Sequence, residues 1–263
     1  MPIDRRQRYA RQVLLAQDAI SLKIRRLISA EFKAVGKAIS DDYQDGAISD
    51  MGDHMRRHEV AIADILRASL VATIKKFTKF PTGYKASKSL PSPQVHYVKS
   101  DLFETQLEWD VYYLLLDDAL GTAEKISRTT IQEAQLVISK GLEAGDTTSV
   151  IARDILNTVG GVTSRNRAAT IARTEVHKAA NQSQHSSIVK ASADSGLEIE
   201  KEWIATNDGR VRDAHRHADG QKAKVDDDFK VGGESMLFPG DRRASAKNVI
   251  NCRCVVGYNT TGD

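Results

Sequence analysis

The hydrophobic pattern of this chain changes period once, at Gly196, and this change limits the folds that are open to it. Before Gly196 the apolar residues recur mostly three and four positions apart, as they do along amphipathic helices. After Gly196 the segment "LEIEKEW" alternates apolar and polar residues, as a strand with one buried face does. The sequence therefore predicts an α+β fold, in which an elongated, mainly helical N-terminal part is followed by a small β-rich C-terminal lobe.

The helical part divides into several long segments. Helical spacing predicts helices over about residues 5–40, 54–77 and 103–143, the last with a break at Gly121. The segment "FPTGYKASKSLPSP" contains three of the five prolines and predicts a proline-rich loop at about residues 80–93.

The second half of the chain shows further helix signals before the strand pattern begins. "GDTTS" offers N-cap residues for a short helix, and Ser164 can cap the one after it, so helices are predicted within residues 148–192. The β-rich lobe follows over residues 197–258. We therefore predict a helical arm or bundle over residues 1–145 and a second domain over residues 146–263.

Charge is unevenly distributed, although the net charge is only +3. Residues 1–40 carry nine basic and three acidic residues, whereas residues 101–155 carry eleven acidic and four basic ones. Such polarity suits a protein that lies between a polyanion and a basic protein surface, and it is equally typical of solvated helix faces. The residues that we assign to nucleic-acid contact are Arg5, Arg6, Arg8, Arg11, Lys23, Arg25 and Arg26.

The sequence argues against secretion and against insertion into a membrane. The N-terminal segment lacks the apolar core of a signal peptide, and no stretch approaches the ~18 apolar residues of a membrane span. Two cysteines one residue apart provide no disulfide framework, which favours a reducing compartment. We therefore expect a protein made in the cytoplasm, with no membrane partner.

The two cysteines raise the question of a metal site. His215, His217, Cys252 and Cys254 match the two-His, two-Cys count that zinc accepts. The spacing of the two pairs is, however, a weak fit to such a site. The favoured interpretation is two core cysteines in a final strand and no cofactor, and a structural zinc ion stays as the alternative.

Two other motifs suggest chemistry. In "IARTEVHKAAN" Arg173 and His177 share a helix face while Glu175 points elsewhere, so the spacing favours a structural helix. An ADP-ribosyltransferase-like enzyme would use an arginine (Arg128 or Arg153), a Ser/Thr-rich strand such as "TTS" and a Glu-x-Glu pair such as "EIE". Because "TTS" is predicted to begin a helix, this enzyme is the lesser alternative.

An ordered set of short motifs resembles a known family. "ARTE" followed by Asn181, then "KEW", "DGRVRDAH", Gly220, "FPGD" and "INCRC" are similar to the head morphogenesis domain of tailed phages, the minor head protein family that includes the F protein of phage Mu. The resemblance covers about residues 148–258. Many relatives have a Cys-x-x-Cys pair after the turn, where this chain has Arg212 and His215, and a His-Pro-x-Cys-Arg-Cys ending, where it has "VINCRC".

The resemblance implies a minor capsid protein that is bound at the portal vertex inside the virion head and aids procapsid assembly and DNA retention or delivery. Its implied partners are the portal protein, the major capsid or scaffolding protein and packaged double-stranded DNA, with assembly in the host cytoplasm. A DNA-binding packaging accessory protein, whose partner is nucleic acid alone, is the alternative.

The residues expected to define the module form an internal polar network. Asp208, Asp241 and Asn251 are expected to satisfy backbone groups of turns, and arginines are expected to pair with a carboxylate between connections. The full set is Arg173, Glu175, Asn181, Trp203, Asp208, Arg212, His215, Pro239, Asp241, Asn251, Cys252, Arg253 and Cys254.

Overall fold

A computed structural model describes residues 4–46, 51–79, 102–206 and 208–261 of the chain. The predicted proline-rich loop at about residues 80–93 lies outside the described residues.

The described residues before Gly196 are mainly helical. They form α1 (Arg5–Gln44), α2 (Met51–Phe77), α3 (Gln106–Ala144), α4 (Thr148–Val159) and α5 (Val162–Ser195). The predicted break at Gly121 is wrong, because α3 runs through it. A glycine weakens a helix by about 1 kcal/mol but keeps its backbone N–H, and the nearby Ala119 and Ala123 are buried. None of these helices combines the length and the apolar character that crossing a bilayer requires.

The described residues after Gly196 form two small antiparallel sheets. Their elements are β1 (Ile199–Ile204), α6 (Asp213–His217), β2 (Lys222–Lys224), β3 (Phe229–Val231), β4 (Glu234–Met236), α7 (Ala246–Val249) and β5 (Val255–Thr260). The larger sheet has the order β2-β1-β5, and β3 pairs with β4. The predicted α+β class is confirmed.

Strand β1 is buried on both faces, whereas its alternating sequence predicted one buried face. In its pairing with β5, Trp203 lies opposite Val256 and Ile204 lies opposite Val255. Trp203 and Val256 belong to the core of the lobe. Ile204 and Val255 pack instead in a cluster with Tyr9 of α1. The N-terminal end of the first helix therefore covers the second face of the sheet.

The chain divides into two compact units. One contains Met1–Ile20, Leu70–Leu115 and Arg173–Asp263, and the other contains Ser21–Ser69 and Leu116–Ala172. Each unit takes residues from both sides of the predicted boundary between residues 145 and 146, which as a domain boundary stays a prediction.

The second unit has its own core. Val35 and Ile39 of α1 pack with residues of α3 and α4, among them Ile131 and Ile155. Burying each such aliphatic side chain contributes about 1.5–3 kcal/mol. Because an isolated helix is marginally stable, this shared core is what holds the helices of the unit in place.

Candidate functional site

The two cysteines lie in the loop of residues 251–254 that precedes β5, the cysteine loop, and not in a strand as the sequence suggested. Asn251 begins this loop in the left-handed region, with φ of 59°. Asparagine tolerates that conformation better than most residues, because its short polar side chain can bond locally. Residues two positions apart can face the same side of an extended segment, and Cys252 and Cys254 are both buried.

His215 of α6 faces both thiols. Its Nδ1 lies 3.5 Å from Sγ of Cys252 and 3.4 Å from Sγ of Cys254. The potential metal-ligand atoms of these three buried residues all lie within 4.8 Å of one another. On the other side of the ring, Nε2 lies 3.4 Å from Oδ1 of Asn248, and the indole of Trp203 meets the imidazole edge to face at 5.6 Å.

His217 does not join this group. It is exposed, and its Nδ1 lies 2.9 Å from the backbone oxygen of Asp213. Two positions along a helix turn a side chain by about 200°, so a buried His215 leaves its neighbour outside. The residue that sequence reasoning missed is His177 of α5, which is buried and lowers the pKa of the Cys252 thiol. It lies within the "ARTEVH" motif, but helical spacing there favoured a structural role.

The two thiols differ in acidity. Burial by itself raises the pKa of Cys252, but hydrogen bonds from Cys254, His177 and His215 outweigh it and bring the pKa well below its ordinary value. The pKa of Cys254 is raised well above its ordinary value, because it is hydrogen-bonded to Cys252 and buried. One thiol of the pair therefore loses its proton more readily than the other.

A small cavity adjoins the group. Its volume is about 10 Å³, and its walls include His215, Cys252 and Cys254. A space of this size holds about one water-sized particle. The cluster is therefore an arrangement of soft and imidazole ligands with room for a single ion and no room for an organic cofactor.

Around this group, Asp208 links a turn to the cysteine loop. Its Oδ1 accepts from the backbone N–H of Arg210 at 2.9 Å, and its carboxylate pairs with Arg253 at 2.7 Å. This arginine lies between the two cysteines, so its ion pair helps to hold the loop in its inward conformation.

A second carboxylate holds the turn after β4. Asp241 is buried and accepts from the backbone N–H of Leu237 at 2.7 Å and of Arg243 at 2.9 Å. The Arg243 guanidinium binds it too, at 2.7 Å. Burial tends to raise the pKa of Asp241, but these bonds outweigh burial and lower it.

The other two arginines of the predicted network bind neutral groups. Arg173 donates to Oδ1 of Asn251 at 2.7 Å, and Arg212 donates to the backbone oxygen of Ile250. The backbone N–H of Asn251 in turn donates to Oγ1 of Thr174 at 3.1 Å. Helix α5 and the start of α6 are thereby tied to the beginning of the cysteine loop.

The remaining module residues occupy structural positions. Glu175 pairs with Lys178 at 2.9 Å. Asn181 is buried and donates to the backbone oxygen of His177 at 3.0 Å. Trp203 is fully buried in the core of the lobe, and Pro239 is buried in the turn after β4.

Arg6, which the sequence assigned to nucleic-acid contact, is engaged within the protein. Its Nε lies 2.7 Å from Oε1 of Glu202, and its Nη2 lies 2.5 Å from Asp219 and 2.8 Å from the backbone oxygen of Trp203. Its role is therefore to fasten α1 to the sheet. The other assigned basic residues are exposed: Arg5, Arg8, Arg11, Lys23, Arg25 and Arg26.

The elements of the transferase-like alternative have ordinary structural surroundings. Thr147 is the N-cap of α4 and the next two residues begin this helix, so "TTS" is not a strand. Glu200 pairs with Lys222 at 2.8 Å. Arg128 pairs with Glu124 on the same helix, and Arg153 lies 3.3 Å from Asp154.

One comparison with known proteins covers the part of the chain that contains this site. The family described as phage Mu protein F like protein matches residues 132–257. The minor head protein GP7 of Bacillus phage SPP1 is 28% identical over 183 residues, which are 69% of this chain and 54% of that protein. An NAD(+)–arginine ADP-ribosyltransferase, EFV of Enterococcus faecalis, is 33% identical over 88 residues, 34% of this chain and 18% of that protein.

The uncharacterized protein YqbB of Bacillus subtilis is 33% identical over 97 residues, 35% of this chain and 30% of that protein. The chain thus spans about half or less of the length of these relatives. No solved structure matches it.

Proposed function

Residues 132–257 of this chain belong to the phage Mu protein F-like family of phage minor head proteins, and from this premise we propose that the protein binds the portal vertex inside the phage head. There it aids procapsid assembly and the retention or delivery of DNA. The observation that carries the proposal is the family match, supported by the likeness to a named minor head protein over 69% of the chain.

A role without catalysis is part of this proposal. The likeness to a transferase covers 18% of that relative's length. The "TTS" that such an enzyme would place on a strand begins α4, and Glu200 is paired with a lysine. Within the described residues the module's polar groups bind one another, as expected of a docking domain.

Exposed apolar side chains support a protein partner. Near the start of α3, Tyr113 is 62% exposed and stacks on Trp109 at a centroid distance of 5.5 Å. Leu114 next to it is also exposed, as is Leu102 just before the helix. Exposed apolar groups that lie together are typical of protein interaction sites, so we assign the portal contact to this surface, the α3 aromatic surface.

Exposed basic residues support contact with DNA. Arg5, Arg8 and Arg11 are exposed at the start of α1, and Lys23, Arg25 and Arg26 are exposed further along it. Neutralising phosphate charge with such residues releases counterions, which makes binding favourable at low salt.

The decisive experiment is co-purification of the tagged full-length chain with the portal protein of the same phage. We expect a complex of defined stoichiometry that survives moderate salt, because apolar contacts are not screened. Tyr113→Asp should weaken it, whereas Leu142→Asp near the end of α3, which is equally exposed (62%) but lies outside the α3 aromatic surface, should not. Absence of a complex with the native chain would refute the portal role.

The alternative, an accessory protein that binds DNA alone, is distinguished by salt. Its affinity for a DNA duplex should fall steeply with ionic strength, and replacing Arg5, Arg8 and Arg11 by Gln should reduce the slope of log K against log [salt] by about 0.9 per lost phosphate contact. Such behaviour without portal binding would favour the alternative. Portal binding that the triple variant leaves unchanged would favour the head role.

A further inference from the structure

We propose that His177, His215, Cys252 and Cys254 form a structural zinc site that fastens the cysteine loop to helices α5 and α6. Compared with the four residues that the sequence suggested, this set has the buried His177 of α5 in place of the exposed His217. The proposal concerns the stability of the lobe and does not depend on the portal role.

The distances carry the argument. With Zn–S of about 2.3 Å and Zn–N of about 2.0–2.1 Å, the edge between a sulfur and a nitrogen of a tetrahedral site is roughly 3.5 Å. Nδ1 of His215 lies 3.5 Å and 3.4 Å from the two cysteine sulfurs. Both sulfur–nitrogen distances therefore match the edges of such a site, the three ligand atoms all lie within 4.8 Å of one another, and the adjoining cavity of about 10 Å³ has room for one ion.

The fourth corner falls to His177. Structural zinc sites are four-coordinate, and cysteine and histidine are their usual ligands. The His177 side chain is buried and lowers the pKa of the Cys252 thiol. Its Nδ1 lies 3.2 Å from Oε1 of Gln17, and its Nε2 lies 3.2 Å from Nδ2 of Asn181, so Nε2 is the nitrogen for the metal once the Asn181 amide turns away.

The groups behind the ligands fit the same assignment. Histidine ligands usually donate their other ring N–H to an oxygen, which fixes the tautomer and the ring orientation. Oδ1 of Asn248 lies 3.4 Å from Nε2 of His215, and Oε1 of Gln17 lies 3.2 Å from Nδ1 of His177. His215 therefore presents the correct nitrogen as it stands, whereas the His177 side chain has to rotate to bring its nitrogen to the ligand atoms of the other three residues.

The test measures zinc in the full-length chain, produced with a tag that binds no metal and reconstituted with zinc chloride. We expect about one tightly bound zinc per chain by elemental analysis. Cobalt in its place should give the intense visible bands of a tetrahedral site and a thiolate charge-transfer band. His177→Ala, His215→Ala, Cys252→Ser and Cys254→Ser should each abolish both signals, whereas His217→Ala, the matched control, should retain them.

Thiol reactivity keeps the test informative if the variants fail to fold. In the native chain a mercurial should react with two thiols, and one zinc ion should be released as they react. A chelator that changes colour when it binds zinc would detect the release. A native chain that binds no zinc, or thiols that react without zinc release, would overturn the site. An unchanged cobalt spectrum in His177→Ala would overturn its assignment as the fourth ligand, and loss of zinc in His217→Ala would overturn the set.

Discussion

Replacing Asp241 by alanine tests whether the lobe is held together by its polar network. The carboxylate is buried and accepts two backbone N–H groups, from Leu237 and Arg243, besides the Arg243 guanidinium. Leaving a buried donor without its acceptor costs about 1–3 kcal/mol. Asp241→Ala leaves two such backbone donors unpaired and also removes the ion pair with the half-exposed Arg243 guanidinium, which adds less than about 1 kcal/mol. The free energy of unfolding should therefore fall by roughly 3 kcal/mol.

Asp228 provides the matched control for this substitution. It pairs with the same Arg243, at 2.6 Å, but its side chain is 28% exposed, against 4% for that of Asp241. Asp228→Ala should therefore cost at most about 1 kcal/mol.

The assay is urea unfolding of the full-length chain, followed by tryptophan fluorescence and far-ultraviolet circular dichroism. A loss of about 3 kcal/mol should also lower the melting temperature by roughly 6–12 °C. The reasoning would be refuted if Asp241→Ala lost no more stability than Asp228→Ala. It would also fail if the loss persisted at a pH low enough to protonate the native carboxyl, since the pKa of Asp241 is lowered in the folded state.

Three further predictions concern the described residues around the sheet. Arg6→Ala should cost about 2 kcal/mol in chemical denaturation, because it removes the arginine that pairs with the largely buried Glu202 carboxylate. The exposed Arg5→Ala should change stability by less than about 0.5 kcal/mol. Gly240→Ala should lower the free energy of unfolding by about 3 kcal/mol, since φ is +87° and the new Cβ would lie 3.0 Å from the buried His177 ring. Gly220 has a similar φ of +79° but open space around it, so Gly220→Ala should cost about 1 kcal/mol. Burial, together with the charge of a nearby lysine, lowers the pKa of His185 to about 3. In the unfolded chain His185 binds a proton near pH 6.5, whereas in the folded protein it stays neutral until a much lower pH. The free energy of unfolding should therefore fall by about 2 kcal/mol between about pH 6.5 and pH 5. His185→Gln should remove this loss if the variant folds.

Much of the fold could be predicted because secondary structure leaves a local imprint. The helical spacing before Gly196 and the alternation after it indicated the α+β class, and helices α1 and α2 lie within a few residues of their predicted bounds. The break at Gly121 was predicted wrongly, because a local propensity of about 1 kcal/mol is outweighed by packing along a long helix.

The candidate site was predicted only in part. His215, Cys252 and Cys254 could be chosen by residue type, and the structure brings them together. His177 could not be chosen in this way, because its contact with Cys252 joins residues 75 positions apart, and nothing in the spacing of a helix records which distant loop packs on it. Arg6 was misassigned for the same reason, since its partners lie about 200 positions away.

The sequence by itself determined the periodicity of each segment, the uneven charge and the types of side chain available for a metal, because these are properties of neighbours along the chain. Only the tertiary structure decided that β1 is buried on both faces, that Arg6 of α1 pairs with groups of the sheet, and that both thiols of the cysteine loop face His215. The physical reason is that these outcomes depend on which distant surfaces exclude water together, and such choices are made by the packing of the whole unit.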